Sequence, residues 1–144
     1  MRQAQDILGR RLVLENVSTY VTPGAEMHEA DFVREVLLRA DCDLLLDINN
    51  VYVNSINHGF DAATYLRTLP GERIRYLHVA GHYIEAEDLR IDTHGDDVCP
   101  DVWDLLRMAY REFGVLPTLL ERDFNLPPLT ALLGEMDTIR QIQH

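Results

Sequence analysis

Four short runs of consecutive apolar residues punctuate the chain: Leu12-Val13-Leu14, Leu44-Leu45-Leu46, Ile74 to Val79, and Leu116 to Leu120. Each is bounded by charge or turn residues and none keeps a strict polar alternation, which predicts short strands buried on both faces. Between them apolar residues recur every three to four positions. Phe32, Val33, Val36 and Leu37 form one such stripe; Val102, Leu105, Leu106, Ala109 and Phe113 form another, ending at Gly114, a natural helix stop. Leu129, Leu132, Leu133, Met136 and Ile139 predict a last amphipathic helix after Pro127-Pro128. A weaker helix covers Ala62 to Leu69 and stops at Pro70-Gly71, and Gln3 to Leu8 before Gly9 reads as the tail of a helix preceding the first strand. The order is α-β-α-β-α-β-α-β-α, with strands starting about 30 to 40 residues apart. Regular βα repeats at that period predict an α/β fold on a parallel sheet, either doubly wound or a barrel.

At 144 residues and 47% hydrophobic, the chain is expected to form a single domain over residues 1–144. Its 24 Asp+Glu against 13 Lys+Arg give a formal charge of −11, which repels phosphate backbones and anionic lipid. Neither nucleic acid nor membrane is expected as a partner. No segment approaches the ~18 consecutive apolar residues of a membrane span, and MRQAQDILGRR lacks the apolar core of a secretion signal, so the expected location is the cytoplasm. Cys42 and Cys99 sit in no metal-binding or redox spacing and are expected to be free thiols in a reducing compartment. No glycine-rich phosphate loop follows any strand.

In parallel α/β folds the chemistry lies at the carboxyl ends of the strands. Here the first strand ends in Glu15-Asn16, the second in Asp47-Ile48-Asn49-Asn50, the third in His78 with His82 just beyond, and the fourth in Glu121-Arg122-Asp123. A loop after the third strand adds Asp92-Thr93-His94. Taken singly these are weak signals. A carboxylate after a strand is more often a helix cap or an ion-pair partner, roles open to Asp47 and Asp123; His78 has a second reading as a satisfied core histidine, and Asn49-Asn50 as turn residues. All four strands nevertheless end in a potential metal ligand, which chance seldom produces. Adjacent strands are ~4.8 Å apart, so Glu15 and Glu121, three strands apart, would start ~14 Å from each other in a flat sheet. Only a sheet curled as in a barrel lets them converge on ions ~3.5–4 Å apart. A mixed oxygen and nitrogen set without thiolate suits iron, manganese or zinc rather than calcium or magnesium.

The strings LVLENVSTYV, LLLDINNVYVNSINHGFD, RYLHVAGH, IDTHGDDV with VWDLL, and TLLERDFNLP resemble, in order and spacing, the multinuclear non-haem iron-dependent oxidases. The resemblance spans nearly the whole chain but covers only the C-terminal half of such an enzyme, since a complete barrel takes ~250 residues. It implies about four βα units of a TIM-type, xylose-isomerase-like (β/α)8 barrel. It further implies a site of two or three irons, with manganese or zinc as substitutes, used with O₂ to modify cysteine residues of ribosomally made precursor peptides (RiPP biosynthesis). A small partner protein that helps present the peptide is implied as well. Carried over by motif, Glu15 and Glu121 resemble ligands shared between irons, with Asp47 or Asn50, His78, His82, Asp92 and His94 completing the metal set. The family draws further histidine ligands from early strands that have no counterpart in this sequence.

Three functions are therefore weighed: an iron-dependent peptide-cysteine oxidase or the C-terminal fragment of one; a metal-dependent isomerase or hydrolase on the same barrel type; and a non-catalytic remnant that only pairs with another chain. Four parallel strands from a barrel leave one core face and two edges uncovered, which leads to the expectation of a homodimer mating two half-barrels.

Overall fold

The computed structural model describes residues 1–144. Helix α1 (Arg2–Leu8) closes on Gly9 in the left-handed conformation and leads into strand β1 (Val13–Glu15). Helix α2 (Glu29–Ala40) precedes strand β2 (Asp43–Asp47), which passes directly into helix α3 (Ile48–His58) and then α4 (Ala62–Thr68). A single 3-10 turn, Gly71–Arg73, feeds strand β3 (Ile74–Val79). Strands β4 (Tyr83–Ala86) and β5 (Leu89–Ile91) form a small antiparallel hairpin, and helix α5 (Pro100–Phe113), strand β6 (Thr118–Leu120) and helix α6 (Leu129–Gln143) complete the chain.

The four expected strands and five expected helical stripes are all present. Two further elements are not among them. The Asn-rich segment after β2 forms the helix α3, and the segment after β3 forms the β4–β5 hairpin, which makes a separate two-stranded sheet. The architecture is mixed α/β, with a main sheet in the order β1-β2-β3-β6 whose three pairings are all parallel. This is what a partial βα barrel requires, with β1 and β6 as its two outer edges.

Helices α2, α4, α5 and α6 neighbour one another in that order on one side of the sheet. The core lies between: Leu44, Leu46, Leu77 and Val79 from the strands meet Leu37, Ile48, Val51, Leu66, Val102 and Leu106 from the helices, each essentially inaccessible to water. Burying a side chain of this kind stabilises by about 1.5–3 kcal/mol. The opposite sheet face is open at its edges, where Val13 and Leu119 remain 41% and 52% exposed. No helix is long and apolar enough to cross a membrane, and Cys42 and Cys99 are both free thiols.

Candidate metal centre

Strand pairing decides which side chains share the open face. Val13 pairs with Asp43 and Glu15 with Leu45, so Glu15, Leu45 and Asp47 lie on one face of β1 and β2. Between β2 and β3 the register slips by one residue: Leu44 pairs with Ile74, but Leu45 pairs with Tyr76 and Asp47 with His78. Without that bulge at Arg75, Asp47 would face Leu77 and His78 would point into the helix layer. His78 in turn pairs with Leu119, and Glu121, two residues on, returns to the same face. A bulge of this kind beside a functional site is a common means of re-aiming one side chain.

The result is convergence. Glu15, Asp47, His78 and Glu121 each offer one ligand atom, and all four atoms lie within 4.8 Å of one another. At ~4.8 Å per strand a flat sheet would hold the outer two ~14 Å apart at the backbone, and their ligand atoms nevertheless lie within 4.8 Å of each other. His94, Glu121 and Asp123 form a second group by the same measure, and Glu121 is the member common to both.

The contacts inside the cluster are close but are not hydrogen bonds. His78 Nδ1 lies 2.9 Å from Glu121 Oε2, 3.4 Å from Glu15 Oε1 and 4.0 Å from Asp47 Oδ2. His94 Nδ1 lies 3.3 Å from Glu121 Oε2 and 3.5 Å from Asp123 Oδ2. Yet Asp47 Oδ2, Asn50 Oδ1, His78 Nδ1, His94 Nε2 and Glu121 Oε2 are all buried without a hydrogen-bond partner of acceptable geometry. An orphaned buried polar atom costs about 1–3 kcal/mol, and those of Asp47, His78 and Glu121 belong to one group of side chains that could hold a cation. The donor set fits a transition metal of the iron, manganese or zinc kind.

Local structure explains each placement. Asp47 caps α3: its Oδ1 accepts from the Asn50 backbone N–H at 2.7 Å, leaving Oδ2 for the cluster, so the residue serves as both cap and candidate ligand. Asn16 locks the ends of β1 and β2 together, since its side chain accepts from Asp47 N at 2.8 Å and donates to Asp47 O at 2.9 Å. Asn50 donates to Asn16 O at 3.0 Å, and its Oδ1 is buried without a partner. Arg122 pairs with Asp97 and Glu135, not with Glu121, so the Glu121 carboxylate is left without a cation of its own.

Asp92 and His82 are held by one residue of the second strand end, Asn49, for which turn chemistry is the alternative reading. The fully buried Asn49 accepts through Oδ1 from the His82 Nδ1–H at 2.8 Å and donates from Nδ2 to Asp92 Oδ1 at 3.0 Å. Asp92 also accepts from Ser18 Oγ at 2.8 Å and lies 2.7 Å from His94 Nε2. His94 itself adopts a left-handed backbone (φ 48°), an unfavourable state for a non-glycine residue that is often found where a side chain must be aimed. The loop carrying His82 approaches the 96–97 backbone so closely that a Cβ at Gly81 would overlap the Asp96 carbonyl. Ser18, Asn16, Asn49 and Asp123 are thus members or supports of the centre that the strand-end pattern did not assign. Asn16, Asn49 and Asp123 carried a visible signal, their places within the strand-end strings, whereas Ser18 carried none.

Electrostatics agrees with a site built for cations. Burial pushes the Asp47 carboxyl up to about 7, against the Asn50 amide and the nearby His94, which favour its charge. Burial disfavours a charged His94, but the Asp92 carboxylate 2.7 Å from its Nε2, together with Asp47 and Glu121, outweighs it and raises the imidazole to about 9. Glu15 is raised by burial and by Glu121, with His78 pulling the other way. Burial lowers His82, and the Arg90 charge adds to that. A bound cation would compete with protons at Asp47 and His94.

Comparison with known proteins finds a family and relatives that match along the whole chain. The family model described as "RiPP precursor modification enzyme MbnB/TglH/ChrH" matches residues 1–144. A UPF0276 protein of Shewanella sediminis is 60% identical over 144 residues, covering 100% of this chain and 52% of the relative. UPF0276 proteins of Acinetobacter baylyi (59% over 141 residues, 98% of this chain and 49% of the relative) and Pseudomonas aeruginosa (57% over 143 residues, 99% and 50%) are similar to the same extent. The chain spans about half the length of the curated relatives it matches.

Proposed function

Because the chain belongs to the MbnB/TglH/ChrH family of RiPP precursor modification enzymes, we propose that it supplies the strand-end half of an iron centre that oxidises cysteine residues of a ribosomally made precursor peptide with O₂. The observation that carries this reading is the set of five buried, unpartnered atoms on Asp47, Asn50, His78, His94 and Glu121. Glu15, Asp47, His78 and Glu121 would hold one ion and His94 with Asp123 or Asp92 a second, Glu121 being a member of both groups. His82 completes the set from behind Asn49.

When bound, iron with an open position supplies a site for O₂ and for a substrate thiolate. The protein's own part is positional. Glu121 and Glu15 reach in from the outer strands with flexible two-carbon stems, while Asp47 and His78 are fixed by a helix cap and a strand bulge. Asn49 holds Asp92 against His94 Nε2, which sets the imidazole's orientation. A small partner protein that presents the peptide, and a homodimer or longer chain that covers Val13 and Leu119 on the open face, belong to the same reading; light scattering showing a well-folded monomer at micromolar concentration would argue against the dimer.

The test is anaerobic loading with ferrous iron, then exposure to O₂ with a cysteine-containing precursor peptide, followed by mass spectrometry of the peptide. Oxygen uptake with a mass change confined to a cysteine supports the proposal. A metal-loaded chain that hydrolyses or isomerises a substrate without consuming O₂ overturns the oxidase part.

A further inference from the structure

The β4–β5 hairpin rises from the metal centre, with His82 immediately before β4 and Asp92 immediately after β5. Its two outer edges are not equivalent. The β5 edge is sealed by helix α3: Asn57 donates from Nδ2 to the Arg90 carbonyl at 2.9 Å and accepts from the Arg90 N–H at 2.7 Å. Both backbone groups of Arg90 therefore point away from β4. Arg90 pairs with Ile84, so this is the non-hydrogen-bonded kind of antiparallel pair, in which both partners turn their N–H and C=O outward.

The N–H and C=O of Ile84 consequently face the opposite edge, where no element of the chain meets them. Every residue of β4 is exposed, Ile84 at 61% and Tyr83 at 51%. An exposed strand edge with unpaired backbone and apolar side chains is a template for one more strand. The charge around it is one-sided: Glu85, Glu87 and Asp88 surround the turn, and the guanidinium of Arg90 is folded back onto the Ala86 and Glu87 carbonyls.

The geometry points to the β4 edge as a docking strand for an extended segment of the precursor peptide that alternates apolar and basic residues and pairs with Ile84. The inference rests on the family reading above. Ile84 lies two residues from His82, roughly 7 Å at a strand rise of ~3.3 Å per residue, so a segment paired there delivers a cysteine a few residues further along to the centre. Strand addition draws its affinity from main-chain hydrogen bonds and its specificity from side chains, which suits an enzyme that must accept the backbone of a disordered peptide.

The test uses the whole chain and a fluorescein-labelled peptide of alternating Val and Lys ending in Cys, with a Val and Glu peptide as its control, read by anisotropy. Ile84→Pro removes the outward N–H without touching the β5 ladder, and proline is tolerated on strand edges. The Glu87→Lys/Asp88→Lys double variant leaves the backbone intact, so the proposal remains testable if the proline variant fails to fold. Each is expected to weaken binding of the basic peptide by about tenfold or more with metal content unchanged. The Ile84 amide is expected to exchange quickly in the free chain and slowly with peptide. Equal binding by wild type and both variants, no binding of the basic peptide, or an Ile84 amide already protected without peptide would each overturn the docking strand. Failure of the metal-centre reading shows separately, as loss of metal from the wild-type chain.

Discussion

His78 Nδ1 and Glu121 Oε2 lie 2.9 Å apart across the β3–β6 pairing, and neither atom makes a hydrogen bond of acceptable geometry. Two buried polar atoms this close would ordinarily rotate into a hydrogen bond, because leaving both unmade costs about 1–3 kcal/mol each. Glu15 and Asp47 each bring a ligand atom within 4.8 Å of both. Removal of one carboxylate should therefore expose the remaining ligands rather than act locally.

Glu121→Ala and Glu15→Ala should each lower bound metal by roughly half or more, because each removes a ligand on which the others depend. Glu112→Ala, on the α5 surface where Glu112 meets only Arg67 at 3.7 Å, should leave metal unchanged. Metal stoichiometry and melting temperature of the three variants check this. Unchanged metal with a modest loss of melting temperature in Glu121→Ala would assign that residue a purely structural role.

Asn16→Ala should destabilise the fold by about 1–3 kcal/mol, since it strands the buried backbone N–H of Asp47, whose C=O also serves the first turn of α3. It should also loosen the Asp47 carboxylate and weaken metal binding, although Asn16 contributes no ligand. Urea unfolding with and without metal measures both effects. A variant as stable as wild type would remove Asn16 from the account.

Metal loading should release protons near neutral pH. With Asp47 raised to about 7 and His94 to about 9, the metal-free centre is partly protonated at pH 7, and a cation must displace those protons. Apparent affinity for manganese should rise with pH between about 6 and 9, and calorimetry in buffers of different ionisation enthalpy should show about one to two protons released. A pH-independent affinity would mean that these groups do not face the ion.

At the other end of the sheet, burial alone would raise Asp43, but hydrogen bonds and charge from Arg75 and Arg11 hold it below the usual carboxylate range. A carboxylate whose folded pKa is depressed contributes stability that is fully present above the unfolded value, about 3.9, and is lost as pH falls through the folded value. The melting-temperature difference between wild type and Asp43→Asn should accordingly be constant above about pH 5 and shrink on acidification below about pH 4. A difference that grows on acidification would reverse the sign of this coupling.

The strand ends were legible because an apolar run that stops at a polar residue marks where a parallel strand leaves the core, and four such stops coincided on Glu15, Asp47, His78 and Glu121. The register that unites them was not. Nothing in IRYLHV announces the bulge at Arg75, which arises from pairing with β2 and decides whether His78 or Leu77 faces the site. Helix α3 was hidden for a related reason. Asn49, Asn54 and Asn57 are poor helix formers, placed there to bond His82, Glu29 and Arg90, so tertiary contacts override local preference. The hairpin lacks the Asn-Gly or Asp-Gly turn that would have marked it, using Glu87-Asp88 instead.

The most direct test of the central claim is anomalous diffraction at the iron edge on crystals of the anaerobically iron-loaded chain. The account predicts a strong peak between Glu15, Asp47, His78 and Glu121, with a second near His94 on the far side of Glu121. An iron-loaded crystal with no anomalous density within bonding distance of Glu121, and His78 hydrogen-bonded to it in ordinary geometry, would contradict the metal centre.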